Sequence, residues 1–378
     1  MTQNFTINNS TMPRRHDHVE GSFLSLKNHS RLFFCALLAA SSVHAQTLRL
    51  EADRLGIKIS GAVNPARFNE PAYAASLARE LNMIEPENAM KFASLHPERE
   101  RFDFSGGDRI VEFAQKNGMA VRGHTLVWHN QIAPWVKTGG FSPEDLSSIL
   151  HDHITTVMKH YAGKVWAWDV VNEAFDGNPP RLRSTIWYDA PGIGFKGEKT
   201  RYIEQALRWA READPHALLF YNDYSAETIN PKSDAIYAMA RDFKKRGVPL
   251  DGIGLQMHVG LKSDLARLGD NIERLTALGL QVHITELDVA IAVNPDGSPI
   301  DPDSFEKQAK VYRQVASTCL RFKGCTAIQI WGITDKYSWI PGFSKGKNGL
   351  ALPLDKEYRP KPAYTALLDA LSAAAGKL

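Results

Sequence analysis

Short apolar segments alternate with amphipathic helical patterns along most of this chain, and this alternation constrains its fold more than any other feature. Eight segments have the length and composition of β-strands bounded by Gly, Pro, Asn or Asp: residues 57–63, 83–87, 120–127, 165–173, 217–223, 252–258, 281–289 and 327–333. Strands that alternate with helices predict an α/β fold with a parallel sheet. Eight such strands favour closure into a (β/α)8 TIM barrel over an open sheet.

Helical patterns fill the intervals between these segments. They are clearest at residues 72–81, 109–117, 201–213, 305–320 and 363–374. The sequence contains no Gly-Ser linker, low-complexity tract or internal repeat. It therefore predicts a single domain across residues 46–378.

The N-terminal part has the pattern of a secretory signal peptide. Basic residues Lys27 and Arg31 precede the apolar run 32–40, and a small-residue cleavage pattern ends at Ala45. The apolar run is too short to span a bilayer, and the start of a buried helix is the alternative interpretation. We therefore predict an N-terminal extension plus signal peptide at residues 1–45, cleaved after Ala45. The mature protein is expected to be secreted or periplasmic, with no membrane attachment.

Cleavage there would remove Cys35 and leave Cys319 and Cys325. A close pair of cysteines in a chain bound for an oxidising compartment predicts a disulfide. Two cysteines at this spacing with no nearby histidine disfavour a metal site, so we expect neither a metal nor a cofactor.

Histidines and overall charge give no further indication of a ligand. His151, His153 and His160 fall in a predicted outer helix, where we expect solvated or capping roles instead of metal ligation. The formal net charge is only +3 and the basic residues form no block. This charge pattern gives no indication of nucleic-acid binding.

Polar and aromatic residues cluster at the predicted carboxyl ends of the strands, which is where barrel enzymes place their active sites. They are Glu87, Asn88 and Lys91; His124, Trp128 and Gln131; Asp169, Asn172 and Glu173; Tyr224; Gln256 and His258; Glu286 and Asp288; and Trp331 and Trp339. One polar residue at a strand end means little, but this many are hard to assign to packing.

Two of these carboxylates suggest a reaction. Glu173 ends the fourth strand segment and Glu286 lies within the last part of the seventh, so they can converge from opposite walls if both face the barrel mouth. Glycoside hydrolysis needs one protonated carboxylic acid at the leaving oxygen and one ionised carboxylate at the anomeric carbon. Indole platforms and neutral hydrogen-bonding groups suit the C–H faces and hydroxyls of sugars. On spacing alone, solvated carboxylates at strand ends remain the alternative.

The motifs at these positions resemble glycoside hydrolase family 10, the xylanases. They are PENAMK (86–91), RGHTLVWH (122–129), WDVVNEAF (168–175), YNDY (221–224), GLQMH (254–258), ITELD (284–288), WGITDKYSW (331–339) and RPKPAY (359–364). The resemblance implies a retaining endo-β-1,4-xylanase that acts on xylan and xylo-oligosaccharides. It implies Glu173 as acid/base and Glu286 as nucleophile, with carboxyls about 5–5.5 Å apart.

The resemblance also implies roles for the surrounding residues. Glu87, Asn88 and Lys91 are expected to bind the glycone sugars. The subsite of cleavage is expected to be lined by His124, Asn172, Trp331 and Trp339, with Trp128 and Gln131 alongside. Tyr224 is expected to stack under the aglycone, and Gln256 is expected to lie near the cleavage point. Asp169 and His258 are expected to form a hydrogen-bonded chain to Glu286. For Asp288, support of the nucleophile strand and a structural ion pair both stay open.

Three other functions fit the sequence less well. A β-1,4-glucanase or mannanase would share both carboxylates, but crowding by Trp331 and Trp339 disfavours a hydroxymethyl group on the sugar. A non-catalytic barrel lectin would have lost one of the two glutamates. A phosphate-using barrel enzyme would carry Gly-rich loops after strands seven and eight. We expect a monomer without a carbohydrate-binding module.

Overall fold

The protein is described by a computed structural model that covers residues 46–377. The predicted leader, residues 1–45, lies outside the described residues, so its cleavage stays a prediction. Within residues 46–377, none of the helices combines the length and hydropathy that a membrane crossing requires.

Eight parallel strands form the centre of the fold: β1 (Lys58–Val63), β2 (Met83–Pro86), β3 (Ala120–Val127), β4 (Ala167–Asn172), β5 (Leu218–Asp223), β6 (Gly252–Leu255), β7 (Gln281–Ala292) and β8 (Cys325–Ile330). Each strand pairs with the next along the chain. Strand β8 also pairs with β1, which closes the sheet into a barrel. The predicted TIM barrel is confirmed.

Helices occupy the connections between the strands. The α-helices are Leu48–Leu55, Pro71–Glu80, Phe92–Leu95, Ser105–Lys116, Pro134–Thr138, Pro143–Tyr161, Arg201–Ala213, Pro231–Arg246, Leu268–Thr276, Ser304–Cys319, Ile340–Phe343 and Pro362–Ala375, and the 3-10 helices are Pro65–Asn69 and Asp335–Tyr337. Several begin with proline, whose fixed φ and missing N–H suit the first helical turn. Their apolar faces pack on the barrel and form one continuous core.

Strand β6 differs from its prediction in a way that positions the site. The predicted segment 252–258 breaks after Leu255, because Met257 adopts a left-handed backbone with φ of 68°. A short strand, His258–Gly260, then resumes beside β7 and pairs His258 with Asp288. The break therefore moves the His258 backbone alongside β7, the strand that carries Glu286.

The far end of β8 carries a covalent link. Cys319 ends helix Ser304–Cys319 and Cys325 begins β8, and a disulfide joins them with a Cα–Cα distance of 5.4 Å. The link lies at the amino end of β8, whereas Trp331 follows its carboxyl end. The disulfide thus clips a helix to the barrel away from the predicted site.

The expectation for the histidines of helix Pro143–Tyr161 was wrong for His153. Its ring is buried and stacks on Phe92, with ring centroids 4.1 Å apart. Burial lowers the pKa of His153 well below its ordinary value, so the ring is a neutral part of the core. His160 instead pairs with Asp108 at 2.7 Å near the surface.

Candidate active site

The carboxyl ends of the barrel strands surround a cavity of about 550 Å³. Most of the predicted site residues line it: Lys91, His124, Trp128, Asn172, Glu173, Tyr224, Gln256, His258, Glu286, Trp331 and Trp339. The cavity is also lined by Asn130, Ser225 and Phe343, which sequence reasoning did not single out. Seven strands or the loops that follow them therefore contribute to one concave site.

Glu286, on β7, is held by two side chains. Asn222 Nδ2 donates to its Oε1 at 2.7 Å, and His258 Nε2 lies 3.1 Å from its Oε2. Burial alone would raise the pKa of Glu286. The hydrogen bond from His258, together with the nearby charges of His124 and His258, outweighs burial and brings the pKa below its ordinary value. Glu286 is therefore a fixed, ionised carboxylate.

His258 connects this carboxylate to a second one. Its Nδ1 lies 3.0 Å from Asp288 Oδ2, so the ring spans Glu286 and Asp288. Burial lowers the pKa of His258, but the charge of Asp288 and the bonds to both carboxylates raise it well above its ordinary value. Trp339 Nε1 also donates to Asp288 Oδ2 at 2.8 Å. The ring is thus an imidazolium that donates to carboxylates on both sides.

The expected chain from Asp169 through His258 to Glu286 was wrong, because Asp288 takes the place of Asp169. Asp169 lies on β4, which β5 separates from β6, and its carboxylate accepts from Arg122 through both oxygens. Its Oδ2 also lies 2.9 Å from His124 Nδ1. Asp169 therefore orients His124, which lines the cavity, instead of orienting His258.

A further buried carboxyl, that of Glu85 on β2, lies near Asp169 and His124. Its Oε2 is 3.8 Å from Arg122 Nε, and its oxygens make no hydrogen bond within the described residues. Burial raises the pKa of Glu85 well above its ordinary value, more than Arg122 lowers it. Glu85, His124 and Asp169 have ligand atoms within 4.8 Å of one another, which is close enough for a metal ion. However, the Arg122 guanidinium already compensates the charge of Asp169.

Glu173 follows the end of β4 with a left-handed backbone, φ 56°, which is uncommon for a residue with a side chain. Its Oε2 accepts from Trp128 Nε1 at 2.8 Å, and its Oε1 accepts from Gln256 Nε2 at 3.0 Å. Its side chain is 13% exposed, whereas that of Glu286 is 6% exposed. The two carboxyls face one cavity from different walls and in different surroundings.

An amide pair links the two walls. Asn222 Nδ2 donates to Asn172 Oδ1 at 3.0 Å as well as to Glu286. Gly254 makes room for this amide, since a Cβ at that position would lie 2.2 Å from Asn222 Oδ1. Gln256 Nε2 reaches the same Asn172 oxygen at 3.2 Å. The Asn172 oxygen is thus bonded twice, which turns its amide nitrogen toward other partners.

The family model of Glycosyl hydrolase family 10 matches residues 47–370 of this sequence. The chain belongs to glycosyl hydrolase family 10.

Three relatives within family 10 match over 90% or more of their own length. Endo-1,4-beta-xylanase B of Thermotoga neapolitana is 45% identical over 85% of this chain and 90% of its own. The crystal structure of xylanase 10B from Thermotoga maritima superposes with a TM-score of 0.82 at 43% identity, covering 88% of this chain and 100% of that one. The crystal structure of xylanase 10B from Thermotoga petrophila in complex with xylobiose superposes with a TM-score of 0.81 at 42% identity. The match covers 87% of this chain and 98% of that one.

One side of this family 10 cleft gathers the residues expected at the glycone. Lys91 Nζ lies 3.2 Å from Asn88 Oδ1 and 4.7 Å from the ring centroid of Trp128. Gln131 Nε2 donates to the same Asn88 oxygen at 3.1 Å. Burial lowers the pKa of Lys91, and nearby carboxylates led by Glu286 oppose this. Lys91 lines the cavity, Asn88 accepts its hydrogen bond, and Gln131 donates to the same Asn88 oxygen.

Glu87 borders a neighbouring, smaller pocket together with Trp331 and Trp339 and lies 3.7 Å from Arg67. Its charge still acts on Lys91, whose pKa it raises. The structure therefore joins Lys91, Asn88 and Gln131 by hydrogen bonds and places the Glu87 charge near them.

Tyr224, expected under the aglycone, lies on the other side of Glu173. Its hydroxyl accepts from Arg183 Nη2 at 2.9 Å, and Lys232 Nζ lies 3.7 Å above its ring. Arg183 also donates to the backbone carbonyl of Glu173 at 3.3 Å. Tyr224 is thus oriented by a cation that also contacts the backbone of Glu173.

Sequence reasoning assigned no role to three residues that hold the site, and for Trp187 it left sugar stacking and core packing both open. Asn222 was visible inside the YNDY motif but received no role. Arg122 was visible in RGHTLVWH, and its guanidinium donates hydrogen bonds to the Asp169 carboxylate. Trp187 supports the site from outside, since its Nε1 donates to the Trp128 carbonyl at 3.0 Å. Motif position could have flagged Asn222 and Arg122, but no local pattern predicts the contact of Trp187.

Proposed function

We propose that this protein is a retaining endo-1,4-β-xylanase in which Glu286 is the nucleophile and Glu173 the acid/base. The observation that carries the assignment is the difference between the two carboxyls. Glu286 is ionised and fixed between Asn222 and a charged His258. Glu173 is more exposed, and among residues 46–377 the hydrogen bonds to its carboxyl come from the neutral donors Trp128 and Gln256.

The reaction follows from these positions in two steps. Glu286 attacks the anomeric carbon while Glu173 gives its proton to the glycosidic oxygen, so the bond to the leaving sugar breaks and a glycosyl-enzyme ester forms. Glu173, now ionised, then takes a proton from water as that water attacks the anomeric carbon and releases Glu286. Two inversions at one carbon retain the β-configuration.

Asn172 supplies a further interaction with the reacting sugar. Asn222 and Gln256 both donate to its Oδ1, which leaves its Nδ2 as a donor toward the cavity. We assign this donor to the sugar 2-hydroxyl, where hydrogen bonds strengthen in the transition state. The interaction therefore lowers the barrier and does more than hold the substrate.

The sugar is expected to be xylose because of the indoles at the cavity. Trp331 and Trp339 both line it, and crowding there disfavours a hydroxymethyl group at C5. Xylanase 10B from Thermotoga petrophila, 42% identical, has been seen with xylobiose bound. The remaining predicted residues, including Glu87, Asn88, Lys91 and Tyr224, keep their proposed sugar-binding roles.

Product analysis tests this assignment directly. The protein is incubated with β-1,4-xylan and, in parallel, with carboxymethyl-cellulose and mannan, and proton NMR follows the earliest products. Xylo-oligosaccharides that appear first as the β-anomer are expected. A first-formed α-anomer would overturn the two-carboxylate mechanism. Turnover of cellulose or mannan alone would keep the mechanism and change the substrate.

The location of the enzyme is a further part of the proposal. The basic residues, apolar run and small-residue site before residue 46 support export and cleavage after Ala45. The mature enzyme would then act as a secreted or periplasmic monomer. N-terminal sequencing of mature protein is expected to begin at Gln46, and light scattering is expected to give the mass of one chain.

A further inference from the structure

Phe343 is a large aromatic side chain at the rim of the cavity, and the mechanism above gives it no role. Among residues 46–377, the large hydrophobic side chains most open to solvent are Phe343, 74% exposed, and Ile300, 61% exposed. Isolated exposed apolar residues are common on protein surfaces and need no function. However, Phe343 lines the cavity and Ile300 does not.

The loop that follows β8 presents Phe343 in a braced conformation. Helix Ile340–Phe343 ends at this residue, whose N–H donates to Trp339 O at 3.1 Å. Ser344 Oγ bonds Asn348 twice, at 2.9 and 3.1 Å. The segment Asn348–Gly349 then pairs antiparallel with the end of β7. The exposed ring is therefore attached to a loop that the barrel itself holds.

Phe343 also extends an aromatic surface that begins at the catalytic centre. Its ring centroid lies 4.7 Å from that of Trp339, at an interplanar angle of 45°. Trp339 donates its indole N–H to Asp288, which holds His258 against Glu286. One face of Phe343 thus packs on a residue of the site, while the rest stays open to solvent.

Resting on the proposed function, we infer that Phe343 is a specificity-determining residue that binds one additional xylose unit beyond the subsite of cleavage. A phenyl ring offers no hydrogen bond, so it recognises the apolar C–H face of a sugar and accepts different hydroxyl patterns. A sugar stacked there would cover the exposed ring and remove apolar area from water. Because this sugar does not react, the interaction strengthens binding of long substrates without changing the chemistry.

The test compares Phe343→Ala with Phe343→Trp and with the control Ile300→Ala, which removes the other exposed side chain away from the cavity. Each is assayed on xylohexaose and on 2,4-dinitrophenyl β-xyloside, which carries a single sugar. For Phe343→Ala we expect about a fivefold lower kcat/KM on xylohexaose, mainly through KM, and an unchanged rate on the aryl xyloside. Phe343→Trp should restore the rate, and Ile300→Ala should match wild type.

Cleavage of reducing-end-labelled xylohexaose adds a second measurement. Loss of one binding position should change the proportions of the labelled products in Phe343→Ala. Equal losses of kcat/KM on both substrates would mean that Phe343 only supports Trp339. An unchanged kcat/KM on xylohexaose would show that Phe343 does not bind an additional sugar. Failure of the wild-type protein to cleave xylan or xylohexaose would instead refute the proposed function.

Discussion

The two walls of the cleft hold their carboxyls in opposite ways. On the β7 wall, Glu286 is buried and receives bonds from Asn222 and a charged His258, which is itself held by Asp288. On the β4 wall, Glu173 lies past the end of its strand and is bonded by Trp128 and Gln256.

The difference matches what the two proposed roles require. A nucleophile works from one ionised state and one orientation, so a buried charged network suits it. An acid/base has to exchange its proton first with a leaving group and then with water, so it needs access to both. Neutral donors orient Glu173 without adding a fixed positive charge. Perturbing each wall separately therefore tests the comparison.

The largest effect is expected from Glu286→Ala, which removes the proposed nucleophile. Turnover of xylan and of aryl xylosides should fall alike, on the order of 10⁶-fold, the scale seen when a covalent nucleophile is lost. Mass spectrometry with a 2-fluoro aryl glycoside should detect a covalent adduct in wild type and none in the variant. An adduct that persists in Glu286→Ala would place the nucleophile elsewhere.

Glu173→Ala should be less damaging and should depend on the leaving group. On xylan we expect a loss of about 10²- to 10⁴-fold, the usual contribution of a general acid. A dinitrophenyl xyloside needs no proton on departure, so formation of the glycosyl-enzyme should be nearly normal. Azide should then restore turnover and give the β-glycosyl azide. If Glu173→Ala and Glu286→Ala lost activity equally on the dinitrophenyl xyloside and azide rescued neither, the two carboxyls would not have the different roles proposed for them.

Asp288→Asn tests the charged network behind the nucleophile. Asp288 raises the pKa of His258, so its neutralisation should lower that pKa. The ring would then lose its proton, and with it the positive charge beside Glu286, at a lower pH. We expect about a 10- to 100-fold lower kcat and an alkaline limb of the pH–rate profile displaced toward lower pH. Titration of the His258 ring by NMR measures the cause, and an unmoved alkaline limb would contradict it.

Trp128→Phe makes the corresponding change on the other wall. It keeps an aromatic ring and removes the N–H that donates to Glu173 Oε2. Because Gln256 still holds the other oxygen, we expect about a tenfold lower kcat/KM on xylan. The loss on a dinitrophenyl xyloside should be smaller, since that substrate needs little help from Glu173. A loss as large as that of Glu173→Ala would show that the ring has a further role.

The smallest effect on activity is expected from Cys319→Ser with Cys325→Ser. The disulfide lies at the end of β8 away from the cleft and joins residues separated by 6 positions. Its loss should lower the free energy of unfolding by about 2 kcal/mol. Thermal denaturation should reveal the change while kcat/KM at room temperature stays at the wild-type value. A change in kcat/KM would mean that the far end of the barrel influences the walls.

Local sequence patterns predicted the regular elements well. The segments 120–127 and 201–213 coincide with β3 and with helix Arg201–Ala213. The prediction was wrong at β6, where the apolar composition continues through Met257 but the strand ends at Leu255 and Met257 has a left-handed backbone. The buried carboxylate of Glu227 accepts the Met257 N–H at 3.2 Å, so a residue distant in the chain contacts the backbone there.

The sequence by itself predicted the barrel and placed Glu173 and Glu286 near the carboxyl ends of two strands, because periodicity and motifs are local properties of the chain. Only the tertiary structure decided that Asp288 and not Asp169 holds His258, and that Asn222 joins both walls. It also decided that His153 is buried and that Phe343 reaches the cavity. These contacts depend on strand register and on closure of the barrel, which bring together residues whose separation in sequence carries no signal of their distance in space.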